Sequence, residues 1–269
     1  MEDLGSDIIL GVMGDPIDHS LSPAMHNRAM KALGINGIYL KFRVPPSLLS
    51  DALRGIKALG IRGVNLTMPL KTMAPQMMDS LDEDAEETMA VNTVLNDGKL
   101  KGFNTDVGGF SDSLPEKPCR TVVLGTGGAA SAVLLALSRL GSDTTVMGRR
   151  WDRAVELARR FGAKPMEFKL WKLEEIEWDL LVNATPLGMS GFPELEVPAG
   201  AFKPGRTVFD LVYSPVKTRL LREAEMRGCR TISGLLMLVN QGARSFRIFT
   251  GINPPLEEMM EAVGLERRR

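Results

Sequence analysis

The chain has 269 residues, 33 Lys plus Arg against 33 Asp plus Glu, and 44% hydrophobic residues. That length holds one large domain or two modest ones with ample core, and zero net charge leaves no global field to draw in nucleic acid or an anionic membrane. Two lone cysteines, Cys119 and Cys229, make neither a disulfide framework nor a metal cluster. They suit a reducing cytoplasm, and with no signal peptide or membrane-length apolar run a cytoplasmic protein is expected.

In chain order, Ile8–Met13 reads as a first strand, ending in a polar loop from Gly14 to Ser20. Ser22-Pro23 then opens a helix, with Ser22 as N-cap and Pro23 at the first helical position. A strand near Ile38–Phe42 precedes a helix from about Pro46 to Leu59, and a third strand, Gly63–Leu66, runs into Thr67-Met68-Pro69-Leu70-Lys71. Met68, Met73, Met77 and Met78 read as core filler. Val94 to Leu100 reads as a hairpin around Asp97-Gly98. A boundary is expected near Thr105. Beyond it come strands near Thr121–Leu124, Thr144–Met147, Leu180–Asn183, Thr207–Asp210 and Thr231–Ser233. A long apolar helix, Leu235–Phe249, has no further strand to serve and is expected to cross back onto the first domain, with a last helix from about Pro255 to Val263. The terminal Glu266-Arg267-Arg268-Arg269 reads as a solvated tail. Alternating strands and helices predict a parallel, doubly wound α/β architecture in two lobes with a cleft between them.

The segment Thr121 to Ser131 is the most informative stretch. A β-branched run meets Gly125, Gly127 and Ala130 at the G-x-G-x-x-A spacing of a dinucleotide-binding turn. Gly125 permits the tight turn, Gly127 lets backbone approach a pyrophosphate, and Ala130 lets the following helix lie close to the strand, its N-terminus facing the phosphates. The next strand ends at Gly148-Arg149-Arg150, with Arg153 one turn on, where an NAD site places an acidic residue for the ribose 2′-hydroxyl. Guanidinium forks there bind a 2′-phosphate that a carboxylate would repel, so NADP is expected over NAD.

A nicotinamide enzyme needs a protein group to handle the alcohol proton. Lys71 and Asp106 both follow strands in the first lobe; read without other information they are also two plain surface charges. Lysine is a poor base at its reference pKa of about 10.4, so catalysis requires burial or a partner that shares the proton. Ser20 and Ser22, two apart, would present both hydroxyls to a carboxylate if the segment is extended. His19 and His26 invite a hydrolase reading with Ser20 as nucleophile, but no G-x-S-x-G elbow is present, and His26 is expected to pack inside its helix. No His/Cys/Asp/Glu group has metal-ligand spacing, so no metal is expected.

These pieces form a pattern. Pro16 to Pro23 with His26-Asn27, Val64 to Lys71, Ala90 to Thr93, Gly102 to Asp106, the glycine turn, Asn183 to Met189, Asp210 to Tyr213 and Gly234 to Gln241, in this order, resemble the signatures of shikimate dehydrogenases. The resemblance implies reversible NADPH-dependent reduction of 3-dehydroshikimate to shikimate, on the route to chorismate and the aromatic amino acids. It implies a substrate-binding domain over residues 1–104, a Rossmann NADP-binding domain over 105–234, and C-terminal helices, 235–269, returning to the first. Ser20 and Ser22, with Tyr213, would hold the substrate carboxylate; Asn65, Thr67, Asn92, Asp106 and Gln241 would bind ring hydroxyls; Lys71 and Asp106 would form the catalytic pair. Gly125, Thr126, Gly127, Gly128, Ala129, Arg149, Arg150, Arg153, Thr185, Leu211 and Gly234 would hold NADP. Such a site rejects analogues lacking a hydroxyl, because its polar groups would be left unpaired.

One departure stands out. The family's Asn-Arg-Thr-x-x-Arg motif reads here Gly148-Arg149-Arg150-Trp151-Asp152-Arg153, losing an asparagine hydrogen bond and gaining a cation at Arg150. The alternative within the family is a quinate/shikimate enzyme with relaxed NAD/NADP use. Outside it stand a non-catalytic nucleotide-binding regulator, which intact Lys71 and Asp106 argue against, and a methyltransferase, whose cofactor has no phosphate for Arg149 and Arg153. Monomer and homodimer both remain open.

Overall fold

The computed structural model describes residues 7–265, so the terminal Arg-rich tail lies outside the described residues. Two compact units are present: one holds the described residues up to Gly109 and those from Leu238 onward, the other is Phe110–Met237. Both crossings fall inside helices, not in a linker.

The first unit begins with β1 (Ile8–Gly14), α1 (Ser22–Ala32), β2 (Gly37–Arg43), α2 (Leu49–Ala58) and β3 (Gly63–Leu66). It continues with β4 (Ser80–Leu81), α3 (Glu83–Thr88), β5 (Thr93–Asn96), β6 (Leu100–Phe103) and α4 (Thr105–Ser113). Its sheet has the order β2-β1-β3-β5-β6-β4. β1 lies parallel to β2 and β3, but β5 is antiparallel to both β3 and β6. The sheet is therefore mixed, not parallel throughout. The hairpin at Asp97-Gly98, with Gly98 at φ +93°, joins β5 to β6 directly, and an antiparallel pair needs no crossover helix.

Two local expectations change. The Met25 N–H bonds the Leu21 carbonyl at 3.3 Å, so Leu21 is the N-cap and Ser22 the first helical residue, its side chain making no cap. The α2 segment opens as a 3₁₀ turn over Pro46–Leu48 before the α-helix starts at Leu49. Leu49, Leu53 and Ile56 repeat at helical spacing and bury against Val64, Leu66 and Val94, the core of this unit. Met73, Met77 and Met78 pack against that core as filler, whereas Met68 is exposed in the loop after β3.

The second unit carries β7 (Arg120–Leu124), α5 (Gly128–Leu140), β8 (Asp143–Gly148), α6 (Trp151–Phe161) and β9 (Lys164–Glu167), then β10 (Leu180–Asn183), β11 (Thr207–Asp210), α7 (Arg219–Met226) and β12 (Arg230–Ser233). All six strands are parallel in the order β12-β11-β10-β7-β8-β9. This is the Rossmann order, reversing between β7 and β10 and leaving a crevice outside their carboxyl ends. β10 is buried along its whole length, as a central parallel strand requires, over a core that includes Trp178, Leu181 and Val208. From β12 the chain enters α8 (Gly234–Thr250) and α9 (Leu256–Glu261); Arg28 of α1 pairs with Glu258 of α9 at 2.5 Å.

Candidate active site

Register brings the first site together. Asn65 of β3 lies opposite Thr93 of β5, which lies opposite Phe103 of β6. Because β5 is antiparallel to its neighbours, its beginning sits at the same end of the sheet as the ends of β3 and β6. Lys71 after β3, Asn92 before β5 and Asp106 after β6 therefore converge although far apart in sequence. Lys71 Nζ donates to Asp106 Oδ2 at 2.6 Å, a short charge-assisted bond. The Asp106 side chain is 5% exposed and that of Lys71 20%, so the pair is inside yet reachable on the lysine side. Asp106 is no surface charge. Its other oxygen accepts from Asn92 Nδ2 at 2.8 Å, and it sits in the first turn of α4, where an anion suits the helix dipole.

Gln241, on α8, reaches the same place: its Oε1 lies 3.4 Å from both Asn92 Nδ2 and Thr105 Oγ1. A Cβ on Gly109 would sit 2.6 Å from Gln241 Cβ, so the glycine lets α4 and α8 come this close. Asn65 is buried with its amide fully engaged by Tyr39, Thr93, Ser245 and the Asn92 carbonyl. To bind a ligand directly it would have to give up one of these bonds. Thr67 is half-buried at the end of β3, its methyl filling the space beside Gly14 at the end of β1. Ser20 and Ser22 are adjacent but not extended: Leu21 is helical in backbone, and Ser20 Oγ accepts from the Ser22 N–H at 3.4 Å. The two hydroxyls are thus set by the turn entering α1.

In the second unit, Gly125 follows β7 at φ +119°, and a Cβ there would stand 2.8 Å from the Ala184 carbonyl oxygen. Gly127 is the N-cap of α5 with no side-chain cap, and a Cβ on it would meet nothing within 4 Å. An open face over uncapped helix amides, through Gly128 and Ala129, is what a pyrophosphate requires. Thr185, after β10, lies beside Gly125, its hydroxyl held by Asn183 Oδ1 at 2.6 Å. Gly234 abuts the Leu211 carbonyl, where a Cβ would come within 2.4 Å. Arg149 and Arg150 are exposed at the start of α6 with no ion-pair partner among the described residues, while Arg153 pairs with Glu156 at 2.5 Å. The donor set fits a phosphorylated dinucleotide. Tyr213 is half-buried after β11.

Residues 12–94 match the model of the shikimate dehydrogenase substrate binding domain, and residues 234–263 that of the shikimate 5′-dehydrogenase C-terminal domain. Shikimate dehydrogenase (NADP(+)) of Methanosarcina mazei is 46% identical over 95% of this chain and 97% of its own. The chain belongs to the shikimate dehydrogenase family. Among solved structures, the shikimate 5-dehydrogenase of Thermus thermophilus in complex with NADP(H) and shikimate has 41% identity and a TM-score of 0.87, covering 95% of this chain and 98% of that one. The quinate dehydrogenase of Corynebacterium glutamicum in complex with NAD has 32% identity and a TM-score of 0.87, covering 96% and 99%.

Against the family's cofactor motif, Gly148 now has a physical setting. A Cβ there would come within 2.4 Å of Thr126 Cγ2, so the Thr126 methyl fills the room an asparagine side chain needs. Thr93, Thr105, Asn104 and Ser245, which support Asn92 and Asp106, were not among the predicted site residues. The signal for them was local: Thr93 and Thr105 flank the motif residues, and Gly108-Gly109 marks a close helix approach next to Asp106. Among the described residues no group of His, Cys, Asp and Glu could hold a metal, and no helix is long and apolar enough to cross a membrane.

Proposed function

We propose that this chain catalyses the reversible NADP-dependent interconversion of shikimate and 3-dehydroshikimate. The observation that carries this is the buried Lys71–Asp106 pair at 2.6 Å, bounded by amides that suit a polyhydroxylated ring, on a chain that also builds a phosphate-ready glycine turn with two arginines unpaired among the described residues. When bound, NADP accepts or supplies the hydride. Lys71 and Asp106 hold the proton that the alcohol oxygen loses or gains, Lys71 facing the accessible side and Asp106 fixing its ammonium. Asn92 and Gln241 read ring hydroxyls, with Thr67 beside them, and Ser20 and Ser22, assisted by Tyr213, hold the carboxylate. The unit that runs up to Gly109 and resumes at Leu238 serves as the substrate domain, and Phe110–Met237 as the cofactor domain, so the divisions fall a few residues beyond the 104/105 and 234/235 boundaries expected from the sequence. The unpaired cysteines support a cytoplasmic, reducing setting.

Initial rates of cofactor reduction with shikimate and quinate, each offered NADP⁺ and NAD⁺, test the proposal. Shikimate with NADP⁺ is expected to dominate; comparable rates with quinate or NAD⁺ would move the chain to the mixed-specificity branch of the family. Arg149→Ala is expected to weaken NADP⁺ binding by about 1–3 kcal/mol, a charge-assisted hydrogen bond's worth, with NAD⁺ nearly unaffected. Titration calorimetry with both cofactors checks it, and equal losses would show that Arg149 does not read the 2′-phosphate.

A further inference from the structure

Beneath the Lys71–Asp106 pair lies a buried polar set, made of Tyr39, Asn65, Thr93, Thr105 and Ser245, that the proposed proton and hydride transfers do not use. We propose that Ser245, on α8, is a positioning residue for the reaction, holding the hydroxyls that lock the Asn92 amide and, through it, the Asp106 carboxylate. The inference rests on the assignment of Lys71 and Asp106 to proton transfer.

The direction of each bond follows from groups that can only donate or only accept. The Thr105 backbone N–H points to Asn92 Oδ1 at 2.8 Å, so that atom is the oxygen, and Nδ2 is the end that donates to Asp106 Oδ1. Asn65 Nδ2 lies 3.1 Å from the Asn92 carbonyl, which can only accept, so Asn65 Oδ1 receives the Tyr39 hydroxyl proton at 2.8 Å. The same Nδ2 stands 2.9 Å from Thr93 Oγ1 and 2.8 Å from Ser245 Oγ, sharing its two protons among three acceptors. Thr93 passes its own proton to Asn92 Oδ1 at 2.9 Å. Ser245 Oγ lies 2.8 Å from Thr93 Oγ1, 3.1 Å from Thr105 Oγ1 and 3.1 Å from the Gln241 carbonyl. Thr105 Oγ1 in turn reaches Asn92 Oδ1 at 3.1 Å.

Donor polarity thus runs from Tyr39 through Asn65 to Thr93 and into Asn92 Oδ1. Asn92 Nδ2 in turn donates to Thr105 Oγ1 at 2.9 Å and to the carboxylate that takes Lys71 on its other oxygen, while the Ser245 hydroxyl bridges the two threonines and the Gln241 carbonyl. Ser245 is where these paths meet, and it is fully buried. It also stands one helical turn beyond Gln241, on the same face of α8, so it ties the turn that carries Gln241 to the Asn92 amide. A satisfied buried network is rigid, and removing the member at which its paths meet loosens the others. Ser245→Ala deletes one oxygen with little change in volume. Asn65 Nδ2 keeps the Asn92 carbonyl and Thr93 Oγ1, but Thr93 and Thr105 lose the hydroxyl that ties them to each other and to the Gln241 turn of α8, so the two threonines that contact Asn92 are held less firmly.

Steady-state kinetics with shikimate and NADP⁺ test this. Ser245→Ala is expected to lower kcat/KM for shikimate about 3–10-fold, the effect of one hydrogen bond, with the KM for NADP⁺ unchanged. In an Asn92→Ala background the same substitution should change kcat/KM by less than about two-fold, because its route of action is already gone. Thr93→Val supplies a second cycle should Asn92→Ala not fold: combined with Ser245→Ala it should cost no more than the worse single change. The inference is overturned if Ser245→Ala stays within about two-fold of the parent, costs the same factor in both backgrounds, or raises the NADP⁺ KM in parallel. Asp106→Asn, assayed alongside, separates the two levels. Retained turnover sinks the catalytic assignment itself, whereas lost turnover with a silent Ser245→Ala sinks only the role of Ser245.

Discussion

Lys71→Ala is expected to lower kcat by about 10²–10⁴ while leaving the KM for shikimate within a few-fold. The reasoning starts from position. Lys71 is the more exposed member of the pair, so it is the group a ligand can touch, and Asp106 holds it from behind at 2.6 Å. An interaction with the oxygen that changes protonation belongs mainly to the transition state, and its loss therefore falls on kcat. The ring and carboxylate contacts assigned to Ser20, Ser22, Asn92 and Gln241 remain, and they govern KM. The substitution also leaves the Asp106 carboxylate without its cation in a nearly closed site, and breaking a buried pair costs about 3–5 kcal/mol. Stability must accordingly be measured in parallel, by thermal denaturation with and without NADP⁺. A folded variant within ten-fold of the parent kcat would remove Lys71 from the proton transfer.

What could be read from the chain and what could not divides along physical lines. The second unit was legible because its signals are local: Thr121 to Ala130 carries strand, turn and helix start within one window, and Gly125 has both the positive φ and the carbonyl contact that exclude a side chain. Arg149 and Arg150 were legible for the same reason, as cations at a helix start that prefers acids. The first site was not legible from residues alone. Lys71 and Asp106 are 35 positions apart, and only the antiparallel register of β3, β5 and β6 brings them together. Their pairing follows from family resemblance, not from spacing. Expectations failed where one hydrogen bond moved a boundary. Ser22 looks like an N-cap, but the Leu21 carbonyl starts the helix one residue sooner, which also removes the extended geometry assumed for Ser20 and Ser22.

The Gly148 departure is likewise a matter of packing that no single position discloses. Thr126 and Gly148 lie 22 residues apart on the loop after β7 and at the end of β8, and one fills the space the other vacates. With no side-chain amide at position 148, the proposed reading of the 2′-phosphate rests on Arg149 and Arg150, and Arg149→Ala tests it.

His26 makes the fold sensitive to acid. It is fully buried in α1, stacked on Tyr39 at 4.3 Å, with neither ring nitrogen hydrogen-bonded among the described residues. Burial holds its pKa down at about 3, against 6.5 for the exposed group. Below pH 6.5 the unfolded chain takes up a proton that the folded chain refuses, so stability falls as pH drops toward 3. Between pH 7 and 5 the loss is about 2 kcal/mol, at 1.36 kcal/mol per unit of pKa difference expressed. Asp210 acts in the opposite sense. Burial pushes its carboxyl up to about 6 despite donors from Thr218, Val212 and Asn183. The folded chain therefore gains a proton first, and over the same interval recovers about 1.3 kcal/mol. The two effects oppose each other and are of similar size over this interval, so the parent's own pH dependence understates the histidine's. His26→Phe removes one side of this balance. Whatever its stability at pH 7, the variant should gain on the parent by about 2 kcal/mol on going to pH 5, read from urea midpoints at the two values. Parallel pH dependences in the two proteins would mean that His26 is protonated in the fold and has a partner that its stacked, enclosed position does not provide.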